Sequence, residues 1–403
     1  MAEQTVTRTG GLFDDRVLNS LISGHFIVDL LNGQRSLLFT YLSLILGLTN
    51  SGLGILTSCY VIASAIAQPL FGYLSDRIGA RRVVTGGVLG MGSFFTLAMF
   101  FPGWPAVGLL ILASICSGAF HPAGASEATL AGRNRLHGRE AVASSLFFLF
   151  GQMGFGIGPM IGGPIIGYLG ISGLLLLSFF TLPIGLIALR ELKELDNARR
   201  KPSEAVSSHV ENTSQKKRIF TRALLLMVGI SAFQSWAQSS ITAYMPRFLA
   251  DKGLTASAYG VIIGLFTAGS AIGCMLGGEL ADRTSRKTVI TGSLLLSTVP
   301  LFFIAFTGLS FLLYPLMFLA GLLTGGPFSV IVVQAQKVIP GGMGLASGLT
   351  LGFIFSAGAI GTIFTGMLAD NLGFISAFYL TAIIALAGGL LGLLLPEKSS
   401  NPV

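Results

Sequence analysis

Gly72-Tyr-Leu-Ser-Asp76-Arg77-Ile-Gly79-Ala-Arg81-Arg82 and Gly278-Glu-Leu-Ala-Asp282-Arg283-Thr-Ser-Arg286-Lys287 are two copies of one cationic phrase, each wedged between long apolar runs. Their first glycines stand about half the chain apart in a sequence of 403 residues, so the chain reads as an approximate tandem duplication. With 52% hydrophobic and 10% charged residues and a mean hydropathy of +0.78, it is too apolar for a soluble domain of this length. The solvent for most of it is lipid, and a duplication in lipid points to a protein built from two similar membrane-embedded halves.

A bilayer core needs about 20 apolar residues per helical crossing. Twelve such spans fit along the chain, divided by short punctuation such as Thr49-Asn50-Ser51, Phe101-Pro-Gly-Trp-Pro105 and Thr307-Gly-Leu-Ser310. Strand alternation is missing, and runs such as Leu174 to Leu189 and Leu380 to Leu395 favour helices, which satisfy their own backbone groups in lipid. The expected fold is therefore all-α and polytopic, with 12 transmembrane helices in two pseudo-symmetric six-helix halves. The 54 glycines suit closely packed, moving helices. Cys59, Cys116 and Cys274 all fall inside spans, far apart, and form neither a disulfide framework nor a metal-binding spacing. No small-residue cleavage site follows the first apolar run, which is read as a retained span.

Positive loops stay in the cytoplasm. With both termini inside, all of the 25 lysines and arginines except Arg35, Arg247 and Lys252 fall on the cytoplasmic side. That scatter over many loops also excludes nucleic-acid binding as the meaning of a net charge of +8. The long polar stretch from Glu191 to Arg222, with Pro202 and many basic residues, falls at the midpoint and marks a cytoplasmic linker over 191–220 between halves 1–190 and 221–403. Its basic run orients the chain and meets anionic headgroups of the bilayer.

The repeat extends to Gly138-Arg-Glu-Ala-Val-Ala-Ser-Ser-Leu146, which aligns with Gly341-Gly-Met-Gly-Leu-Ala-Ser-Gly-Leu349. Together with the loop Gly-x-x-x-Asp-Arg-x-Gly-x-Arg-Arg between spans 2 and 3 and its copy between spans 8 and 9, this resembles the major facilitator superfamily. Both copies depart from the family pattern, with Ala80 where an Arg is usual and Ser285 where a Gly is usual. The resemblance implies a cytoplasmic gating latch made by Gly72, Asp76, Arg77, Gly79 and Arg81, and in the second copy by Asp282, Arg283 and Arg286. The alternative reading is that these charges only enforce topology.

In span 5, Gly154-Phe-Gly156-Ile-Gly158-Pro159-Met-Ile-Gly162-Gly163 combines a flat glycine face with a proline that removes one helical hydrogen bond. It resembles the motif of the antiporter branch, which implies export; a generic close-packed helix is the alternative. His25-Phe-Ile-Val-Asp29, Gly118-Ala-Phe-His121-Pro122 and Ala335-Gln336-Lys337-Val-Ile-Pro340-Gly341 are similar to the fosmidomycin-resistance type of efflux protein across nearly the whole chain.

Ionisable residues inside a membrane are costly, and each is a functional candidate. Asp29 is the one acid deep in a span, and an acid held from water is suited to loading and releasing a proton. His25 lies one helical turn before it, on the same face, and the pair forms the expected proton-coupling site, with a purely structural pair as the alternative. Glu127 in span 4 is a further proton or gate candidate, and gate pairing is favoured. Arg35, placed inside the first span, invites an anionic substrate group through its forked guanidinium, unless it pairs with Asp29 or snorkels outward. Asn32, His121, Gln152 and Gln334, with Gln234, Trp236 and Gln238 in span 7 and Tyr244 beyond them, are expected to complete a polar, partly aromatic substrate cavity.

Three functional classes compete. Proton-coupled export of small amphiphilic or anionic compounds by alternating access is favoured; import by symport is the alternative, and a non-transporting sensor is the distant one. No catalytic phrase is present, so an enzyme is not expected. The resemblance further implies a monomer in the bacterial inner membrane, with both termini cytoplasmic. Its partners would be a small-molecule substrate, protons and the lipid bilayer, with no nucleic acid, no metal and no cofactor, the proton gradient being the energy source.

Overall fold

A computed structural model describes residues 13–136, 139–193, 222–338 and 343–396. The expected linker lies outside the described residues from position 194 onward, as do the side chains of Asp282 and Gln334.

The first half runs α1 (Arg16–Gly33), α2 (Arg35–Ile45), α3 (Asn50–Ile78), α4 (Ala80–Phe100), α5 (Trp104–Arg135) and α6 (Glu140–Leu169). A short 3-10 turn (Ile171–Leu174), α7 (Leu175–Ser178) and α8 (Thr181–Glu191) then make one broken crossing. The second half runs α9 (Arg222–Asp251), α10 (Ala256–Arg283), α11 (Arg286–Thr307), α12 (Leu313–Val338) and α13 (Met343–Leu393). α13 folds back on itself at Gly373, whose φ of +80° no L side chain adopts cheaply, so it supplies two crossings. With α1 and α2 counted as one crossing, the described chain crosses twelve times. Eight described helices are long and apolar enough to span a membrane by length and composition alone. Arg35 lies within this first crossing, as expected, at the start of α2 and just after a one-residue irregularity at Gln34, whose backbone stays in the helical region.

Helix starts follow from side chains that accept the orphan N–H groups of the first turn. Asp15 Oδ1 accepts from Leu18 N at 2.8 Å, and Thr49 Oγ1 from Gly52 N at 3.1 Å. The two cationic phrases turn by different means. Gly79, at φ +94°, joins α3 to α4, whereas in the second copy Ser285 has an extended backbone and its Oγ accepts from Thr288 N at 3.0 Å. A capping hydroxyl thus replaces the usual glycine.

α1 packs on α6 and α3 on α5; in the second half α9 packs on α13 and α10 on α12, the same pairing repeated. The halves meet along α3 with α13 and along α6 with α10. At the α6–α10 seam glycines are required, since a Cβ on Gly260 would stand 2.7 Å from the Gly163 Cα.

The polar ties across the seam concentrate at the end carrying residues 46–50, 251–255 and 370–373. Asp370 caps α3 from the opposite half, accepting from Asn50 N at 2.7 Å and Ser51 N at 2.8 Å. Arg247 donates to Ser43 Oγ at 2.7 Å, and Tyr244 donates to Thr362 O at 2.6 Å and Asn50 O at 3.2 Å. A carboxylate on a helix N-terminus gains from both hydrogen bonds and dipole.

Asp370→Asn is expected to loosen this end by about 1 kcal/mol. A single cysteine at Ser239, in a background lacking the three native ones, should then be labelled about fivefold faster by an impermeant maleimide from that end. Unchanged labelling would mean that the cap does not hold the end shut.

Candidate functional site

Between the halves lies a cavity of about 230 Å³ walled by both. α1 and α2 contribute His25, Asp29, Asn32 and Arg35, α3 Tyr60 and Gln68, α5 Ser117 and His121, and α6 Phe148, Gln152 and Phe155. Across from them stand Ser235, Gln238, Ser239 and Thr242 of α9, Thr267, Ser270 and Cys274 of α10, and Phe328 and Phe355 of α12 and α13.

Asp29 is the centre of the polar wall. His25 Nε2 lies 3.2 Å from its Oδ2 and His121 Nε2 3.2 Å from its Oδ1, so one carboxylate sits between two imidazoles. The first contact follows from helical spacing within α1; the second needs α5 to cross α1 at this height. Both rings are anchored from behind. His25 Nδ1 donates to Phe147 O at 2.7 Å, and His121 Nδ1 donates to Ser117 O at 2.7 Å, one turn back along α5. Phe147 also stacks on the His25 ring, with centroids 4.0 Å apart. Asn32 Nδ2 donates to Asp29 Oδ1 at 2.8 Å and to Ser117 Oγ at 2.8 Å, while its Oδ1 accepts from the Tyr60 hydroxyl at 2.7 Å. That last bond fixes which way the amide points.

Arg35 faces the cavity with its guanidinium 5.7 Å from the Tyr60 ring centroid, in cation–π range. Among the described residues no carboxylate lies within ion-pair distance of it, so the alternative of a direct ion pair with Asp29 is not made. The irregularity at Gln34 is held by the side chain itself, since Gln34 Nε2 donates to Leu30 O at 3.2 Å and to Gly158 O at 2.7 Å. Gly154, Gly158 and Gly162 admit α1 and Gln34 on one face of α6, and Gly163 admits α10 on another. Pro159 leaves the Phe155 carbonyl without its helical donor, and Gly33 packs there.

Of the residues expected to bind substrate, Arg35, Asn32, His121, Gln152 and Gln238 line the cavity. Gln234, Trp236 and Tyr244 do not; the first two are tied into packing of the second half, and Tyr244 into the contact between the halves. Gln234 is 1% exposed and donates to Thr324 O and Gln238 Oε1. Trp236 Nε1 donates to Thr365 Oγ1 at 2.8 Å, and Tyr244 is fully buried on Thr362 and Asn50. Helical rotation is the reason: Gln234 and Gln238 are one turn apart, yet only the second clears α12. Glu127 is buried on α5, holds contacts of its own and lies off the cavity.

The gating phrases sit at the other end of the bundle from the sealed one. Asp76 and Arg77 are exposed, and Arg77 lies over the Tyr73 ring at 5.0 Å. Arg81 Nε donates to Leu189 O at 2.7 Å, at the C-terminal end of α8. Arg283 pairs with Glu279 of its own helix, and Arg286 opens α11. Sequence reading missed Tyr60, Ser117 and Ser270 as cavity residues; Ser117, one turn before His121, was the legible one of the three.

Tyr244→Phe, which removes the buried hydroxyl that donates to the Thr362 and Asn50 carbonyls, is expected to lower stability by about 1 kcal/mol. Gln152→Ala, on the cavity wall, should leave the melting temperature in detergent unchanged. Equal effects of the two would contradict the division between packed and cavity-facing residues.

The sequence profile of the Major Facilitator Superfamily matches residues 21–362 and 250–403. The fosmidomycin resistance protein of Escherichia coli is 25% identical over 394 residues, covering 95% of this chain and 93% of that protein. The uncharacterized MFS-type transporter YfnC of Bacillus subtilis is 30% identical over 397 residues, covering 93% and 91%. Among solved structures, a bacterial homolog of the human lysosomal transporter Spinster, in an inward-facing and occupied conformation, superposes with a TM-score of 0.71 at 13% identity, covering 96% of this chain and 97% of that one. A doubled six-crossing helical fold, a cavity between the halves and a family match along the chain lead to one conclusion: this protein belongs to the Major Facilitator Superfamily, as a multi-pass membrane transporter of small molecules rather than an enzyme.

Proposed function

We propose that this transporter is a proton-coupled antiporter that exports small amphiphilic or anionic compounds, fosmidomycin-like drugs or metabolites among them, by alternating access. The observation that carries the reading is the cavity between the halves, with one carboxylate held between two imidazoles and an arginine free of any described carboxylate partner on the same wall. The similarity to a fosmidomycin resistance protein and the glycine-proline phrase of α6 support export over import.

In this mechanism α1–α8 rock against α9–α13 around the cavity. Cargo enters from the end that carries the cationic phrases, the cytoplasmic one by the distribution of lysine and arginine. The arrangement described here is then the inward-facing state, with the Asp370, Arg247 and Tyr244 ties closing the outer end. Asp29 and His25, joined by His121, exchange protons. Arg35 takes the anionic group of a cargo and Asn32, Gln152 and Gln238 orient it. The Asp76 and Arg77 loop would tie the halves together only once the cytoplasmic end has closed, which agrees with its exposure here. The protein would act as a monomer in the bacterial inner membrane, with both termini in the cytoplasm.

The test is collapse of the pH gradient in energised everted vesicles on adding a phosphonate antibiotic, a lipophilic cation or a neutral drug. Wild type should dissipate the gradient with at least one compound, and Asp29→Asn with none; intact coupling in the variant would remove Asp29 from the mechanism. Arg35→Ala should lose anionic compounds about tenfold or more while sparing neutral ones, the scale set by one charge-assisted hydrogen-bond pair. Equal loss of both classes would make Arg35 structural. If no compound collapses the gradient, uptake in right-side-out vesicles tests the symport reading.

A further inference from the structure

We infer that His25, Asp29 and His121 form a three-ligand site for a borderline first-row transition-metal dication, with Zn2+ the best fit, open to the cavity at its fourth position. The inference rests on lone pairs. Each imidazole donates its Nδ1 proton to a main-chain carbonyl, which has no proton to give, so in the neutral ring each Nε2 is an acceptor. Both acceptors face the two oxygens of one carboxylate at 3.2 Å. Four lone-pair-bearing atoms converging on one small space call for positive charge between them, which a proton or a metal ion can supply.

The dimensions suit a metal ion. Bonds of about 2.0–2.1 Å in a tetrahedral arrangement separate ligand atoms by roughly 3.3 Å, close to the 3.2 Å between each imidazole Nε2 and the carboxylate oxygen that faces it, Oδ2 for His25 and Oδ1 for His121. One donor atom from each of the three residues lies within 4.8 Å of the others. Two nitrogens and a carboxylate oxygen select ions of the zinc, cobalt and nickel kind over magnesium or calcium, which demand oxygen.

The outer shell is of the kind metal sites need. The Nδ1 carbonyl bonds orient both rings, and Asn32, itself fixed by Tyr60, holds Asp29 Oδ1. The ligands come from α1 and α5 only, so an ion would not bolt the two halves together. His121 is 24% exposed in its side chain and opens onto the cavity, leaving room for water or a donor atom of cargo. With Arg35 on the same wall, a dication makes the pocket strongly cationic, and an anionic donor is the natural fourth ligand. The ion and protons would compete for the same lone pairs of His25, Asp29 and His121, so metal binding is expected to weaken as pH falls.

Purified full-length protein in detergent, first stripped with chelator, is titrated with Zn2+ by calorimetry and with Co2+ by visible spectroscopy. One equivalent of Zn2+ and the intense visible bands of four-coordinate Co2+ are expected. Asp29→Asn and His121→Ala should each weaken Zn2+ binding at least about tenfold. The other two of the four histidines, His137 and His209, provide the control: replacing both with alanine should change nothing. Should a ligand variant fail to fold, X-ray absorption of the Zn2+-loaded wild type decides, with two imidazoles in the first shell expected. Absence of binding, binding that survives both ligand variants, or binding lost with His137 and His209 would each overturn the assignment. None of these readouts involves transport, so failure here is distinct from failure of proton coupling in vesicles.

Discussion

A carboxylate placed in the middle of a lipid-embedded bundle has to find most of its compensation inside the protein, because lipid headgroups do not reach it and only the cavity side is open to solvent. Asp29 meets that constraint by drawing four helices to one height. α1 supplies the acid, His25 and Asn32; α5 supplies His121 and Ser117; α3 supplies Tyr60; α6 supplies the Phe147 carbonyl that orients His25. The first half is thus organised around a polar cluster, not around its apolar surface, which lipid would solvate equally well.

The second half contributes chemistry of another kind. Its cavity wall carries hydroxyls and amides, with no described ionised side chain among the lining residues, so the charge of the site is one-sided. Where the halves touch, contact depends on absence of bulk: Gly163 against Gly260 along one seam, and Ser58 donating to Ala359 O at 2.6 Å along the other. Smooth seams let helices tilt without unlocking side chains, whereas the directional bonds of Asp370 and Arg247 sit at one end, where a few broken bonds suffice to open it.

The candidate site was legible where one helix decides it. His25 and Asp29 are one turn apart, and helical periodicity alone sets them side by side. That His121 would complete the cluster depended on α5 crossing α1 at the right height, which no local spacing encodes. Trp236 and Tyr244 looked like cavity residues because they are large, polar-tipped and in the first helix of the second half, yet the indole pins that half to itself and the Tyr244 hydroxyl reaches both its own half and Asn50 of the other. Asp370 drew no attention at the end of a span, although it caps a helix 320 positions away in sequence.

By itself the sequence determined the solvent, the helical class, the duplication and the family, because hydropathy sums and repeated phrases are properties of contiguous residues. Only the tertiary structure decided that the first crossing is irregular at Gln34, that Arg35 has no described carboxylate within ion-pair distance, and which of two glutamines one turn apart meets the cavity. The reason is physical: periodicity defines the faces of a helix, but the rotation and height at which it meets its neighbours come from packing contacts between residues remote in the chain.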